Sequence, residues 1–382
     1  MSRSGMTSRE RMLNAFRRIE VDHIPLSIYF NPKFQKPDIP VMKTVTERVE
    51  FLLKLVDPVI DVKYLDTHIS PEVKTGTWIE DSDDKTFKVL YKEYVTPAGT
   101  LRQGVRYNED WPFGMDIPLP GADFCGSHHY EPLIKSPDDV RAFEYLYLPP
   151  TQKDVDNMRE HINEIQSIAK KYNVLVRTNS GFGLANFLFM MGAQNMIMFA
   201  IDYPEVFKKL VEIDHRANLA RIKLCPQLGV DVLRRFGGYE MTNFLSVGMY
   251  NGILKEFLIK EVEAAHSENL LIYYRVVSGA KPLLDTISEI GFDCVEGFEP
   301  ELSDCTNSDI KAALSDKCSI WTGVSSPGHI GAENDTKVRA AVRNAIETFG
   351  RRGFILGVSN SIRSHWPFEN VLAMIDEWKK LR

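Results

Sequence analysis

The sequence predicts an α/β fold, a (β/α)8 TIM barrel with an antiparallel β insertion in its N-terminal third. Short apolar segments of strand length alternate with amphipathic helices along most of the chain, which is typical of parallel βαβ units. Eight such strands can be counted from Ile24 onward, and each is followed by polar or glycine-rich residues suited to a strand-to-helix loop. A doubly wound open sheet is the alternative, but no G-x-G-x-x-G motif follows the first strand.

The N-terminal third contains a helical segment, the first barrel strands and the insertion. Thr7 and Glu10 have the spacing of a capping box, so we expect helix formation within residues 1–22 to start near residue 8. Residues 72–132 then alternate apolar and polar side chains between turn signals. This pattern predicts an antiparallel β insertion.

From residue 152 the alternation of helix and strand becomes regular, and we interpret residues 1–382 as a single barrel domain. The predicted barrel strands are 24–30, 59–66, 173–180, 230–237, 270–277, 293–299, 319–325 and 353–359. The predicted helices from residue 152 onward are 152–172, several across 184–226, then 252–267, 281–290, 307–315, 334–349 and 367–380.

The charge composition argues against a nucleic-acid partner. The 382 residues include 46 basic and 52 acidic residues, for a formal net charge of −6, and no long basic run is present. Because 44% of the residues are hydrophobic, the chain can bury a substantial core.

Cysteine usage and hydropathy predict a cytoplasmic protein that does not span a membrane. The five cysteines are widely separated and never form a C-x-x-C pair, which fits reduced thiols. The N-terminus has no apolar block of signal-peptide length. The most apolar run, residues 186–201, is interrupted by Gln194 and Asn195 and is shorter than a bilayer span, so we interpret it as a core helix.

Functional side chains of a (β/α)8 barrel lie at the C-terminal ends of its strands. Carboxylates and guanidiniums at these ends would meet around one mouth, where burial and mutual pairing shift their pKa values. Such a mouth suits a polar or anionic substrate, or proton transfer, although any one of these side chains could simply solvate a loop. The candidates are Asn179, Ser180, Arg234, Arg235, Tyr239, Glu240, Tyr274, Arg275, Ser278, Glu296, Glu299, Ser325, Ser326, His329, Ser359, Asn360 and Arg363.

The strand predicted at 270–277 ends in two phenols and a guanidinium, in the run YYRVVSG. Side chains alternate along a strand, so only one of Tyr273 and Tyr274 can face the barrel interior. If it is Tyr274, its phenol lies near Glu240 and Glu296. The chain has no G-x-S-x-G, Walker or H-E-x-x-H motif that would point to another reactive constellation.

Three segments of the chain resemble the uroporphyrinogen decarboxylase superfamily, in the order expected for it. They are TSRERMLNAFRRIEVDHIPL near the start, PLLDTISEIGFDCVEGFEP, and GFILGVSNSIRSHWPFENVLAMIDEW near the end. The resemblance covers nearly the whole length and implies a single (β/α)8 barrel with its active site at the C-terminal mouth.

Two branches of the superfamily have motifs that this sequence lacks. The tetrapyrrole decarboxylases carry an R-Q-A-G-R loop after the first strand, whereas this chain reads IPLSIYFNPKF without an arginine. The methyl-cobamide:thiol methyltransferases hold zinc on His-x-Cys and on a later Cys, but the matching positions here are Arg275-Val276-Val277 and the segment 357–360, GVSN. Neither porphyrinogen decarboxylation nor zinc activation of a thiol is therefore expected.

The segments RRFGGYE and GFILGVSNSIRSHWPFEN resemble the remaining branch, the corrinoid-dependent methyltransferases that demethylate methoxylated aromatics. The resemblance implies transfer of a methyl group from a small methoxylated aromatic substrate to the cobalt(I) of a separate corrinoid protein. The corrinoid (cobalamin) would be carried by that partner.

Cleavage of an aryl methyl ether requires the leaving phenolate to be stabilised or protonated. We expect Tyr239, Glu240 or Tyr274 to donate the proton or orient the substrate, and Arg235 or Arg275 to bind a substrate carboxylate. Ser180, Glu296, Glu299 and Asn360 complete the expected substrate site. A zinc ion on Glu240, Glu296 and His329 is the alternative to a proton donor, since oxygen ligands with one imidazole suit zinc.

Two other functions remain open at this stage. The protein could take the methyl group from another donor, such as a methylamine or a thioether, or it could bind a tetrapyrrole without catalysis. If the protein is a corrinoid-dependent demethylase, the insertion at 72–132 helps to form the docking surface for the corrinoid protein. A homodimer is neither favoured nor opposed by the sequence.

Overall fold

The computed structural model describes residues 5–29, 39, 42–119, 123–301, 303–332 and 334–382. Within these residues the chain forms a seven-stranded parallel sheet and a separate four-stranded antiparallel sheet. The parallel sheet comprises β1 (Val59–Asp61), β6 (Leu175–Gly181), β7 (Val232–Phe236), β8 (Leu271–Arg275), β9 (Cys294–Glu296), β10 (Ser319–Val324) and β11 (Phe354–Val358), paired in that order. The antiparallel sheet comprises β2 (Lys74–Asp81), β3 (Lys88–Thr96), β4 (Gly99–Tyr107) and β5 (His129–Glu131).

The predicted α/β architecture is confirmed, with seven of the eight expected parallel strands in regular pairing. The segment expected to form the first strand makes one parallel bridge, between Leu26 and Leu356 of β11. Around it, the Ser27 N–H donates to the Leu356 carbonyl at 3.0 Å, and the Asp57 N–H donates to the Leu26 carbonyl at 2.7 Å. The first segment thus lies beside the last strand. Residue 30 of the predicted strand lies outside the described residues.

Helices precede, connect and follow the strands of the two sheets. They are α1 (Ser8–Phe16), α2 (Val45–Leu52), α3 (Asp123–His128), α4 (Asp139–Phe143), α5 (Gln152–Asn157), α6 (Arg159–Tyr172), α7 (Leu184–Met191), α8 (Ala193–Asp202), α9 (Pro204–Leu224), α10 (Val247–Met249), α11 (Glu256–Ser267), α12 (Leu284–Ile290), α13 (Asn307–Leu314), α14 (Asp335–Phe349) and α15 (Phe368–Leu381). The helix predicted at 152–172 is interrupted at Met158, and Gly192 separates α7 from α8. No single helix in the described part of the chain is long and apolar enough to cross a membrane; α7 and α8 reach that length only as a pair bent by 110°.

The antiparallel insertion is confirmed within the predicted 72–132 region. Strands β2, β3 and β4 pair in sequence, with turns at the two positions where the sequence carries turn residues. Trp78 of β2 stacks on Tyr91 of β3 with ring centroids 5.6 Å apart. Such cross-strand aromatic pairs stabilise a sheet that is solvated on one face.

The parallel sheet has two faces with different partners. Its concave face carries a small apolar cluster that packs against α1, including Leu175, Val232, Tyr273, Cys294, Trp321 and Ile355. The convex face packs against the connecting helices and belongs to the main hydrophobic core. Alternation along each strand assigns neighbouring residues to opposite faces.

Helix α1 closes the lower part of the concave face. The predicted capping box is confirmed: the Thr7 side chain accepts from the Glu10 N–H, and the Glu10 carboxylate accepts from the Thr7 N–H. The helix therefore starts at Ser8, which places Phe16 against the sheet. The Phe16 ring lies 5.8 Å from Tyr273 and 6.2 Å from Trp321, and Phe16 is only 2% exposed.

We expect Phe16→Ala to lower the free energy of unfolding by about 3–5 kcal/mol, because it leaves a cavity between α1 and the concave face. Urea denaturation followed by circular dichroism measures this loss. Phe16→Leu retains most of the apolar volume and should cost less. Equal losses in the two variants, or no loss in Phe16→Ala, would contradict this packing.

Candidate active site

A cluster of charged side chains lies on the concave face at the C-terminal ends of the strands. Tyr273 of β8 contacts Arg177 of β6 on one side and Trp321 of β10 on the other, although these strands are two positions away in the sheet. Only the concave face of a curled sheet allows such contacts. Tyr273, and not Tyr274, therefore faces the interior, and Arg275 shares its face by alternation.

Asp61, Arg177 and Tyr273 form the lower layer of the concave cluster. The Arg177 guanidinium donates to both carboxylate oxygens of Asp61, from Nε at 2.6 Å and from Nη2 at 3.0 Å, and its Nη1 donates to the Tyr273 hydroxyl at 2.9 Å. Desolvation by the surrounding protein acts to raise the pKa of Asp61, but the charge and hydrogen bonds of Arg177 outweigh it and lower that pKa. Burial raises the pKa of Tyr273, so its phenol stays protonated.

Arg275, Glu296 and Asn360 form the upper layer. Arg275 donates from Nη1 to Oε1 of Glu296 at 2.5 Å and from Nη2 to Oδ1 of Asn360 at 3.1 Å. The second carboxylate oxygen of Glu296, Oε2, is buried and has no hydrogen-bond partner. The structure thus brings together three of the residues expected to bind substrate.

Arg234 of β7 adds a further cation to the concave face. Its Nε donates to Oδ1 of Asn179 at 2.6 Å, while the side chain as a whole is half-buried. Within the described residues Arg234 forms no ion pair, in contrast to Arg177 and Arg275. Among the side chains that the structure describes, guanidiniums therefore outnumber carboxylates on this face.

Arg235, Glu240 and Tyr274 meet on the opposite, convex side of the sheet. Arg235 donates from Nη2 to Oε1 of Glu240 at 2.9 Å and from Nε to Oε2 of Glu261 at 2.7 Å, and the Tyr274 hydroxyl donates to Oε2 of Glu240 at 2.7 Å. All of these side chains are almost fully buried. Tyr274 does reach Glu240, as expected, but neither group contacts Glu296.

The two carboxylates on Arg235 differ in their pKa values. Burial raises the pKa of Glu240. Burial also acts to raise the pKa of Glu261, but the Arg235 charge and hydrogen bonds with His215 and Asn218 outweigh it and lower the pKa to about 2. Glu261 of α11 is therefore the carboxylate that is held ionised opposite Arg235.

The loop before α7 depends on this convex network. The Leu184 N–H donates to Oε1 of Glu240 at 3.1 Å. Gly183 has a φ of 52°, and a Cβ at this position would lie 1.9 Å from the same Glu240 oxygen. Ser180 is also buried on this side, where its carbonyl accepts from Nη1 of Arg221 at 2.7 Å. Ser180, Arg235, Glu240 and Tyr274 thus shape the loop and do not line the concave face.

Glu299 and His329 lie in a third network, beyond the ends of β9 and β10. Glu299 accepts from the Ser359 hydroxyl and from the Glu301 N–H. His329 accepts from the Ser325 N–H at Nδ1, 3.0 Å away, and its Nε2 lies 3.2 Å from Glu301. Burial lowers the pKa of His329.

Tyr239 packs in an aromatic cluster, with its ring 5.9 Å from Phe189 and 5.4 Å from Phe244. It lies between α7 and the loop after β7. These ring contacts fix the position of Tyr239, and its expected role in proton transfer stays a prediction.

The expected zinc site on Glu240, Glu296 and His329 is wrong. Glu240 pairs with Arg235 on the convex side, Glu296 pairs with Arg275 on the concave side, and His329 belongs to the third network. The described residues contain no group of three or more His, Cys, Asp or Glu side chains placed to hold a metal ion. The donor set predicted from the sequence therefore does not fit zinc.

A cavity of about 210 Å³ opens beside the lower layer, between the first segment, α2 and β1. Its polar end is formed by Asp61, Arg177 and Arg48, and Asp61 is 45% exposed because its carboxylate faces this space. The apolar walls are Ile28, Val45, Leu52, Val59, Ile60 and Trp321. Such a mixture of apolar walls and a few convergent polar groups is typical of a small-molecule site.

Sequence reasoning missed Asp61 and Arg177 as site residues, and it named Arg234 as a strand-end candidate without giving it a role. Arg177 and Arg234 share strand parity with Leu175 and Val232, which pack on α1. The alternation of side chains along each strand was thus the available signal. Its use requires knowing which face of the sheet α1 covers.

The chain matches one protein family over most of its length. The uroporphyrinogen decarboxylase (URO-D) family matches residues 111–381. A search of curated proteins finds no match.

Solved structures of other proteins are similar to this chain. A methyltransferase from Methanosarcina mazei is 15% identical, with a TM-score of 0.62, and the similarity covers 98% of this chain and 99% of that chain. A B12-independent methionine synthase from Shewanella sp. W3-18-1 is 8% identical, with a TM-score of 0.47 and coverage of 94% and 96%. At this level of identity the first similarity shows the fold alone.

The buried Glu261 carboxylate should make stability depend on pH. Its folded pKa of about 2 lies below its ordinary value of 4.5, so its contribution is full above the ordinary pKa and is lost as the pH falls toward the folded value. We expect the free energy of unfolding to fall more steeply between about pH 5 and pH 2 in the wild type than in Glu261→Gln. Urea denaturation across this range measures both slopes.

Glu263→Gln is the control, because Glu263 is exposed on the same helix. Its slope should match that of the wild type. A Glu261→Gln slope that also matches would show that the carboxylate is not held ionised by Arg235.

Proposed function

The chain belongs to the uroporphyrinogen decarboxylase family, and on this premise we propose that it is a corrinoid-dependent methyltransferase. It removes the methyl group of a small methoxylated aromatic compound and passes it to the cobalt(I) of a separate corrinoid protein. The observation that carries this proposal is the concave cluster of guanidiniums at the C-terminal strand ends, where Arg234 lacks a carboxylate partner among the described residues.

Demethylation of an aryl ether creates a negative charge that such a cluster can stabilise. Cobalt(I) supplies the electron pair of the new cobalt–carbon bond, and the electron pair of the broken carbon–oxygen bond leaves with the phenolate oxygen. Guanidiniums remain charged at any physiological pH and need no reorganisation when the phenolate forms. Arg234 and Arg275 are therefore the groups that we assign to leaving-group stabilisation.

Two further findings support a methyltransferase over a decarboxylase. The first segment carries no arginine between Ile24 and Phe34, where the decarboxylases have their R-Q-A-G-R loop. The methyltransferase from M. mazei has the same fold over almost the full length of both chains. We also propose that the first segment completes a closed eight-stranded barrel through its bridge to β11.

The residues of the convex network act as positioning groups in this proposal. Arg235, Glu240 and Tyr274 hold the loop before α7 and the end of β7, and so fix the direction of Arg234 on the other face. Glu296 faces the substrate with its unpartnered oxygen, and Asn360 orients Arg275.

The methyl acceptor is carried by a partner in this proposal. The corrinoid protein must approach the C-terminal ends of the strands, since the charged cluster lies there. The insertion lies next to the loops of this end, because β5 and α3 pack against α7. We also propose a cytoplasmic location, because cobalt(I) requires reducing conditions and the five cysteines are free thiols.

The proposal predicts release of a phenol and methylation of cobalt in equal amounts. The test incubates the protein with a panel of methoxybenzoates and methoxyphenols and with chemically reduced cob(I)alamin as acceptor. Chromatography measures the phenol, and absorbance measures methylcobalamin. If methylamines or thioethers methylate cobalt and the panel releases no phenol, the methyl donor is one of those compounds and not an aryl ether.

Arg275→Gln should lower kcat/KM for the best methoxyarene about 100-fold, because one guanidinium is lost near the leaving oxygen and Glu296 loses its partner. Arg275→Lys should recover only part of the activity, since an ammonium cannot bind Glu296 and Asn360 with a planar fork. Arg351→Gln, at an exposed arginine before β11, is the control and should leave kcat/KM unchanged. Wild-type rates in Arg275→Gln would show that Arg275 does not stabilise the leaving group.

A further inference from the structure

The concave cluster contains one free donor group and one free acceptor. The donor is the Arg234 guanidinium, whose Nε is bonded to Asn179 and whose two Nη groups have no hydrogen-bond partner among the described residues. The acceptor is Oε2 of Glu296, which is buried without a partner. A buried carboxylate oxygen that lacks a donor is costly, and its presence points to a group that arrives with a ligand.

The free donor and the free acceptor flank the same side chain. Tyr273 lies within electrostatic range of both Arg234 and Glu296, and it is bonded to Arg177 below them. In the strand pairing, Arg234 is adjacent to Tyr273, and Glu296 is adjacent to Arg275 one layer above. Arg234 and Glu296 therefore lie on the two strands that flank β8, one layer apart on the same face of the sheet.

The neighbouring ion pairs do not use the Nη groups of Arg234 or Oε2 of Glu296. Arg177 is committed to Asp61 and Tyr273, and Arg275 is committed to Oε1 of Glu296 and to Asn360. The guanidinium fork of Arg234 matches a carboxylate, with two parallel N–H donors. Oε2 of Glu296 can only accept, so it matches a hydroxyl or a protonated amine.

From these contacts we infer that the methyl donor carries both a carboxylate, which pairs with Arg234, and a hydrogen-bond donor, which binds Oε2 of Glu296. This inference rests on the proposed function for the identity of the ligand as a methyl donor, but the two-point recognition stands on the geometry alone. It selects hydroxylated or aminated aromatic acids over neutral methoxyarenes.

Calorimetric titration with compounds that have no methyl group tests the recognition apart from the reaction. The probes are benzoate, 3-hydroxybenzoate and 3-hydroxybenzyl alcohol. The wild type should bind 3-hydroxybenzoate at least about tenfold more tightly than benzoate, since a hydrogen bond to a charged group is worth at least that factor. Arg234→Gln should weaken both acids by about 10-fold to 100-fold and leave 3-hydroxybenzyl alcohol unchanged.

Glu296→Gln should keep benzoate binding and lose most of the preference for 3-hydroxybenzoate, because the neutral amide accepts a weaker hydrogen bond. Arg234→Lys, which keeps the charge without the fork, should retain part of the affinity and shows whether Arg234→Gln acts through charge or through misfolding. Arg351→Gln is the matched control at an exposed arginine and should bind all probes as the wild type does.

Each result has a distinct meaning. Absence of benzoate binding by the wild type, or equal benzoate affinities in the wild type and Arg234→Gln, would overturn the inference. A preference for 3-hydroxybenzoate that survives in Glu296→Gln would overturn the role of Oε2. Two-point binding in a protein that demethylates no methoxyarene would retain the recognition site and reject the proposed reaction.

Discussion

The alternation of side chains across the parallel sheet is the constraint on which the whole site depends. It sends Arg234 and Tyr273 to the concave face and their direct neighbours Arg235 and Tyr274 to the convex face. The two faces of the sheet therefore differ in their balance of charge. On the convex face Arg235 pairs with Glu240 and Glu261 and is inaccessible, whereas among the described residues of the concave face cations exceed anions.

The two clusters also differ in what they stabilise. Breaking the Arg235 network would leave an uncompensated charge in the main core, so its members are constrained by folding. The concave cluster lies next to a cavity of about 210 Å³ and retains an unpartnered oxygen on Glu296. The balanced, buried charge of the convex face holds the loop that carries it, whereas on the concave face Asp61 and Arg177 border this cavity.

Most of the fold could be predicted from the sequence, because buried strands and amphipathic helices leave strong local patterns. The predicted strands from residue 230 onward each contain the observed one, the strand predicted at 173–180 ends one residue before the observed β6, and the capping box at Thr7 was correct. The site was harder to predict. Parallel strands covered on both faces are apolar throughout, so the pattern does not distinguish concave from convex positions. Strand ends were found correctly, but Arg235 and Tyr274 could not be separated from Arg234 and Tyr273 without the position of α1.

The bridge between Leu26 and Leu356 has a consequence for how the chain acquires its shape. The first segment finds its strand partner more than three hundred residues later, and the Trp378 indole adds a hydrogen bond to the Ile24 carbonyl at 2.8 Å. Contacts of such long range slow folding. During synthesis the segment beginning at Ile24 must wait for β11 and α15, so an apolar strand edge stays exposed on the ribosome until the last part of the chain emerges.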